Sequence, residues 1–288
     1  MPRALPILTQ ARAPLTHAIE VMDESGRLQT LDIPAERPLT VYVDKRELVT
    51  LMTLGSRPEW LTLGYLLNQR LVADADEVAS ITVDWEVGAV AVMTRNGITD
   101  LAEKTSRRVV TTGCGQGSLF GEVMAHIEGV VLPSTEVTQT QVYSIVNTMR
   151  LKDSTYKSAG SVHGCALFRG EDPLLFVEDV GRHNAIDSIA GWMALQSSGS
   201  TTLDRTGLMF YTTGRLTSEM VMKAAQMDIA VVISRSGITQ MGHAVAQQLG
   251  LCAIGRALNK RFLCFSTPQR LKLDVVASAG MAQAQASA

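Results

Sequence analysis

Hydrophobic and polar positions along the chain follow two regimes that meet near residue 110. In the first, short alternating runs dominate. "LTVYVDKRELVTLMT" (39–53) sets apolar residues two apart on either side of a charged turn, which predicts two strands in a hairpin. "VASITVDWEVGAVAVMTR" (78–95) predicts a second hairpin, and "RRVVTT" (107–112) a further strand. Between them, "SRPEWLTLGYLLNQRLV" (56–72) carries apolar residues from Trp60 onward at helical spacing, with Pro58 early and Ser56 placed to cap. Together these elements predict a smaller, strand-rich α+β lobe over 19–112.

The second regime begins with a predicted helix in "TEVTQTQVYSIVNTMRLKD" (135–153) and a hairpin in "SVHGCALFRGEDPLLFVED" (161–179). Three strand–loop–helix units then follow in series. "LLFVE" runs through "DVGRHN" into "AIDSIAGWMALQ", "GLMFYT" through "TGRLTS" into "EMVMKAAQMD", and "IAVVIS" through "RSGITQ" into "MGHAVAQQLG", with another strand starting near Leu251. Continuous apolar strands alternating with amphipathic helices predict an α/β domain over 135–276: a mixed, mostly parallel sheet with helices on both faces. Residues 113–134 are expected to form a glycine-rich cysteine loop and connection between the lobes. The segments 1–18 and 277–288 are expected to be poorly ordered, being small and polar.

Composition narrows the function classes. Hydrophobic residues make up 46% and charged residues 19%, as in ordinary globular proteins. A formal net charge of −2 argues against a general nucleic-acid or membrane-surface binder, and no run approaches the roughly 20 apolar residues of a membrane span. Four cysteines, Cys114, Cys165, Cys252 and Cys264, are too sparse for a disulfide framework and lack metal-ligand spacing. They suit a reducing, cytoplasmic setting with no bound metal.

Each strand–loop–helix unit carries an arginine between strand and helix: Arg182, Arg215 and Arg235, with Gly181, Gly214 and Gly237 nearby. Loops at the carboxyl ends of parallel strands line the ligand crevice of such sheets, and helix starts offer unpaired N–H groups to anions. Three guanidinium groups on one rim suit phosphate or pyrophosphate. The alternative is that each arginine pairs with a carboxylate, Asp179 and Glu219 being near in sequence. His183 can be a base, a hydrogen-bond donor to a ligand or a structural residue, and Asn184 can cap its helix. His163 and Cys165 alternate along one strand and share a face, as a nucleophile dyad or as packing. Cys252 and Cys264, in apolar strands, read as core.

Cys114 stands apart. In "VVTTGCGQGSLFGE" (109–122) it sits among Gly113, Gly115 and Gly117, which strip side chains from around the thiol. A glycine-rich turn can aim N–H groups at sulfur and so lower a thiol pKa from its usual value of about 8.5. The other reading is a tight turn with an incidental cysteine.

The segments "ERPLTVYVD", "TTGCGQGS", "SAGSVHGCALF", "VEDVGRHNAIDSIAG", "TGRLTSEMVMKAAQM" and "IAVVISRSGITQMGHAVAQQLGL" resemble the formate dehydrogenase accessory sulfurtransferase family (FdhD/NarQ) over about 36–270. The resemblance implies a cytidine-deaminase-like α/β domain and a homodimer. It also implies sulfur delivery: a cysteine desulfurase loads a persulfide on Cys114. That sulfur then passes to a molybdenum or tungsten bis(molybdopterin guanine dinucleotide) cofactor, bound as substrate, before it enters the catalytic subunit of formate dehydrogenase. The family's second loop cysteine is Gly117 here, which puts a CxxC disulfide mechanism in doubt. The competing reading is a nucleotide-binding escort that has lost sulfur transfer. The implied cofactor contacts are Arg182, His183, Arg215, Arg235 and Ser236, with Arg256, Ala257, Leu258, Asn259, Lys260 and Arg261 in a segment that departs from the usual family residues. A zinc deaminase is excluded by the lack of H-x-E and P-C-x-x-C segments.

Overall fold

A computed structural model of the chain describes residues 4–98, 129–197 and 203–274. The first lobe is a five-stranded sheet made of β1 (Ile7–Leu8), β4 (Arg37–Val43), β5 (Arg46–Thr53), β6 (Val78–Asp84) and β7 (Ala89–Thr94), ordered β1-β6-β7-β4-β5. Both expected hairpins form, β4 with β5 and β6 with β7, and a parallel β4–β7 pairing joins them. Alternation decides which face is inside: Leu39, Val41 and Val43 of β4 are fully buried against Leu63 and Leu66 of α1 (Pro58–Asn68). Helix α1 starts at Pro58 without a side-chain cap; Ser56 instead donates from Oγ to the Glu178 carbonyl at 3.2 Å.

Part of the stretch 1–18, expected to be poorly ordered, is in paired strands. β1 pairs with β6, and β2 (Thr16–Met22) begins a separate hairpin with β3 (Leu28–Pro34). The tail 277–288 and the expected strand 107–112 lie outside the described residues.

The second lobe contains a short parallel pair, β8 (Val137–Thr138) with β15 (Leu271–Lys272), and a six-stranded sheet. That sheet comprises β9 (His163–Arg169), β10 (Asp172–Asp179), β11 (Leu208–Thr212), β12 (Val231–Ser234), β13 (Cys252–Leu258) and β14 (Arg261–Ser266), ordered β10-β9-β11-β12-β13-β14. The expectation of a mostly parallel sheet is corrected here. Only β11–β12 and β12–β13 pair in parallel, while β9 pairs antiparallel with both neighbours and β14 antiparallel with β13. The cause is a hairpin, β9–β10, that turns back on itself and inserts its first strand beside β11. Strands β10 to β13 nevertheless run in one direction, so their carboxyl ends gather along one edge.

Helices cover both faces, as expected. On one lies α2 (Gln139–Leu151), whose Val142, Ile145 and Val146 pack on Phe168, Tyr211 and Ile233; a capping box from Thr138 and Gln141 sets its start. On the other lie α4 (Arg182–Gln196), α5 (Ser218–Gln226) and α6 (Gln240–Leu249), over Leu167, Phe210 and Val232. A five-residue helix α3 (Thr155–Ala159) follows α2.

The lobes meet through α1 and α4, which cross backbone to backbone. A Cβ on Gly64 would stand 1.7 Å from the Asp187 carbonyl oxygen, and one on Gly191 2.0 Å from that of Trp60. Among the described residues no helix is long and apolar enough to cross a membrane.

Candidate functional site

The carboxyl edge of the second sheet is built from loops that brace one another. Arg235 N–H donates to the Thr212 carbonyl at 3.0 Å, Leu216 N–H to Gly237 at 2.9 Å, and Thr239 N–H to Leu216 at 3.0 Å. Ser234 Oγ donates to the Gly214 carbonyl at 2.7 Å, and Ser236 N–H to Ser234 Oγ at 2.9 Å. Arg256 N–H reaches the Ser236 carbonyl at 2.6 Å, tying the end of β13 to the same edge. The starts of α5 and α6 are less open to anions than their sequences suggest: Thr217 caps Met220 N–H and Thr239 caps Gly242 N–H.

The three arginines share this edge in different ways. Arg182 is the first residue of α4 and is buried; its chain lies over Gly214, where a Cβ would come within 2.8 Å of Arg182 Cδ. Its Nε is buried with no hydrogen-bond partner among the described residues. Arg215 and Arg235 are exposed. Of the proposed carboxylate partners, Asp179 is bound instead to Thr53 Oγ1 (2.5 Å), Leu54 N–H (3.2 Å) and Asn184 Nδ2 (2.9 Å), which ties the two lobes together. Asn184 also donates to the Met52 carbonyl at 2.7 Å, so it braces the lobes rather than capping α4. Burial pushes the Asp179 carboxyl up to about 6.

His183 is buried, with Nε2 3.6 Å from Glu219 Oε2. Burial, aided by the charges of Lys223, Arg182 and His163, lowers its pKa to about 2, which makes it a neutral ring and a poor base near pH 7. Beneath it Lys223 Nζ binds Asp187 at 2.8 Å, and Asn68 Nδ2 donates to the same carboxylate at 2.6 Å. His163 opens β9 beside Thr213, Nδ1 to Oγ1 at 3.4 Å, and burial together with Arg182 and Arg215 lowers its pKa. The dyad reading of His163 and Cys165 fails. Cys165 is fully enclosed, donates to Thr212 Oγ1 at 3.3 Å, and burial drives its thiol up to about 12. Cys114 lies outside the described residues.

A cavity of about 310 Å³ opens between this edge and the α2 side of the sheet. Arg235 lines it together with Ala257, Leu258 and Asn259, so four of the expected contact residues converge. Arg182, His183 and Arg215 are not among its walls; Ser236 is held beside it through Arg256. Arg256, Lys260 and Arg261 are exposed around the turn from β13 to β14, with Arg256 and Asn259 at φ 51° and 52°. The opposite wall escaped sequence reasoning: Arg150 from α2, Lys157 and Tyr156 from α3, and Phe176 and Tyr211 from the sheet. The basic run "MRLKDSTYK" (149–157) was the available signal, but nothing local said which way it faced. The lining thus combines the cations Arg150, Lys157 and Arg235 with Phe176, the buried Tyr211 and the carboxylate of Glu178.

The fold and this edge define a class: a two-lobed mixed α/β protein with a basic, aromatic-walled cavity at the carboxyl ends of its strands. The sequence matches the FdhD/NarQ family over residues 34–272, and the chain belongs to that family. It is 29% identical over 256 residues to the sulfur carrier protein FdhD of Bacillus subtilis (strain 168), spanning 86% of this chain and 94% of that protein. It is 26% identical over 252 residues to the sulfur carrier protein FdhD of Staphylococcus haemolyticus (strain JCSC1435), spanning 87% and 94%. The fold is similar, at a TM-score of 0.72 and 24% identity, to a crystal structure from Desulfotalea psychrophila described as that of a formate dehydrogenase accessory protein. That similarity covers 90% of this chain and all of the other.

Proposed function

We propose that this chain is a sulfur carrier for formate dehydrogenase maturation, with Cys114 as the carrying thiol. The observation that supports it is family membership over a span that includes the glycine-flanked Cys114. In this reading the Cys114 thiolate attacks the terminal sulfur of a desulfurase persulfide. The new S–S bond makes Cys114 a persulfide, and the desulfurase cysteine leaves as a thiolate. Release of that sulfur as sulfide takes two electrons. With Gly117 where the family has a cysteine, they come from the acceptor or from a thiol outside the loop.

The acceptor in this proposal is the molybdenum or tungsten bis(molybdopterin guanine dinucleotide) cofactor, held as substrate. One guanine nucleotide would lie in this cavity near Phe176, with its phosphates toward Arg235, Arg150 and Lys157. A cavity of about 310 Å³ is at the small end of ligand pockets, so the rest of so large a cofactor would extend outside it, over Arg256 and Arg261 or toward a second subunit of a homodimer. A cytidine-deaminase-like α/β lobe and a reducing cytoplasm belong to the same reading.

The competitor is an escort that binds the cofactor without transferring sulfur, favoured by Gly117. Incubation with a cysteine desulfurase and cysteine is expected to add one sulfur atom to the intact mass, reversed by reductant and lost in Cys114→Ala. No gain, or an equal gain in the variant, leaves the escort.

A further inference from the structure

Two thiols outside this site are neighbours because of one irregularity in the sheet. Ala253 of β13 pairs with Ser266 of β14, whereas Ile254 pairs with Cys264, so Phe265 is an extra residue in β14. Paired residues of antiparallel strands share a face. Without the extra residue Cys264 would face the way of Ala253; with it, Cys264 turns to the face of Ile254 and Cys252. The two sulfurs lie 3.9 Å apart. Cys252 is buried and Cys264 half-buried.

We propose that Cys252 and Cys264 are an oxidisable dithiol, in which Cys264 reduces a hydroperoxide and Cys252 resolves the product as an intramolecular disulfide. The Cys264 thiolate attacks the outer peroxide oxygen, giving a sulfenic acid and an alcohol, or water from hydrogen peroxide. Cys252 then attacks that sulfur, forming the S–S bond and expelling water. Two electrons leave the two thiols and reduce one peroxide. The geometry supplies both roles. Cys264 is the less buried of the two, and the S–H of Cys252 can hydrogen-bond to its thiolate, which lowers the Cys264 pKa to about 7. The same shared hydrogen bond, with burial, pushes Cys252 up, leaving it as the second, resolving thiol. The two sulfurs, 3.9 Å apart on one face of paired strands, must close to a bond of about 2.05 Å. The disulfide would staple the hairpin whose tip, Leu258 and Asn259, walls the proposed nucleotide cavity.

The test uses the full chain with Cys114→Ala, in which Cys165, Cys252 and Cys264 are the thiols left. Hydrogen peroxide is expected to lower the intact mass by about 2 Da, two hydrogens, reversibly with dithiothreitol. Tryptic cleavage after Arg256 and Arg261 places the cysteines in separate peptides, and these are expected to appear joined. Cys264→Ser loses the joined pair, and Cys252→Ala leaves a sulfenic acid on Cys264 that takes up dimedone. Over-oxidation of Cys264 without a joined pair, a cross-link to Cys165, or no dimedone adduct in Cys252→Ala would each overturn the proposal.

Discussion

Asp179 ends β10 with its carboxyl enclosed and hydrogen-bonded to Thr53 and Leu54 of the other lobe and to Asn184. Its folded pKa of about 6 lies above the 3.8 of a free aspartate side chain, so the folded state binds the proton more tightly. The stability this provides is fully present below about pH 4 and is lost as pH rises through 6. His183 works in the opposite sense: with a pKa of about 2 against 6.5, its contribution is present above pH 6.5 and lost as pH falls. Only difference curves separate them. In urea titrations, wild type is expected to lose roughly 2–3 kcal/mol relative to Asp179→Asn between pH 4 and 7. A flat difference would place the Asp179 proton outside the folding equilibrium. The chemistry-bearing segment "EDVGRHNA" was legible in the sequence, but its burial was not. Arg182, His183 and Asn184 look like loop residues until the first lobe is seen to cover them.

Elements were legible where their signals are local. The hairpins at 39–53, 78–95 and 161–179 and the three strand–loop–helix units all form, because alternation, turn residues and Thr caps act within a few positions. Pairing between distant strands has no such signal, which is why β9 between β10 and β11, and β4 beside β7, could not be read. Gly64 and Gly191 were equally silent. A glycine inside a helix reads only as a small penalty until its partner helix is known. Adding a methyl at either position forces α1 and α4 apart. Gly191→Ala is therefore expected to destabilise by about 3 kcal/mol or more in chemical denaturation, far beyond the helix-propensity gain of about 1 kcal/mol. A neutral result would mean that the helices separate freely.

Across the molecule, the strand directions collect basic loops on one edge, while α2 and α3 contribute the other cavity wall from earlier in the chain. The first wall was legible through Arg235 of "RSG" and Ala257, Leu258 and Asn259 of "RALNK"; Arg150 and Lys157 of the other arrive by tertiary packing alone. The arginines are therefore not equivalent. In titrations with GDP, Arg235→Ala is expected to weaken binding about tenfold, the loss of one charge-assisted hydrogen bond, and Arg215→Ala less than about twofold. Equal losses would return the site to a three-arginine rim.

The cross-bracing of residues 213–217 with 235–239 carries a kinetic corollary. A mouth whose backbone is already assembled spends little conformational freedom when it receives a guest. If the proposed nucleotide site holds, capture is expected to be a single-exponential event whose rate climbs linearly with concentration, with no plateau from a slow isomerisation, as stopped-flow mixing would read.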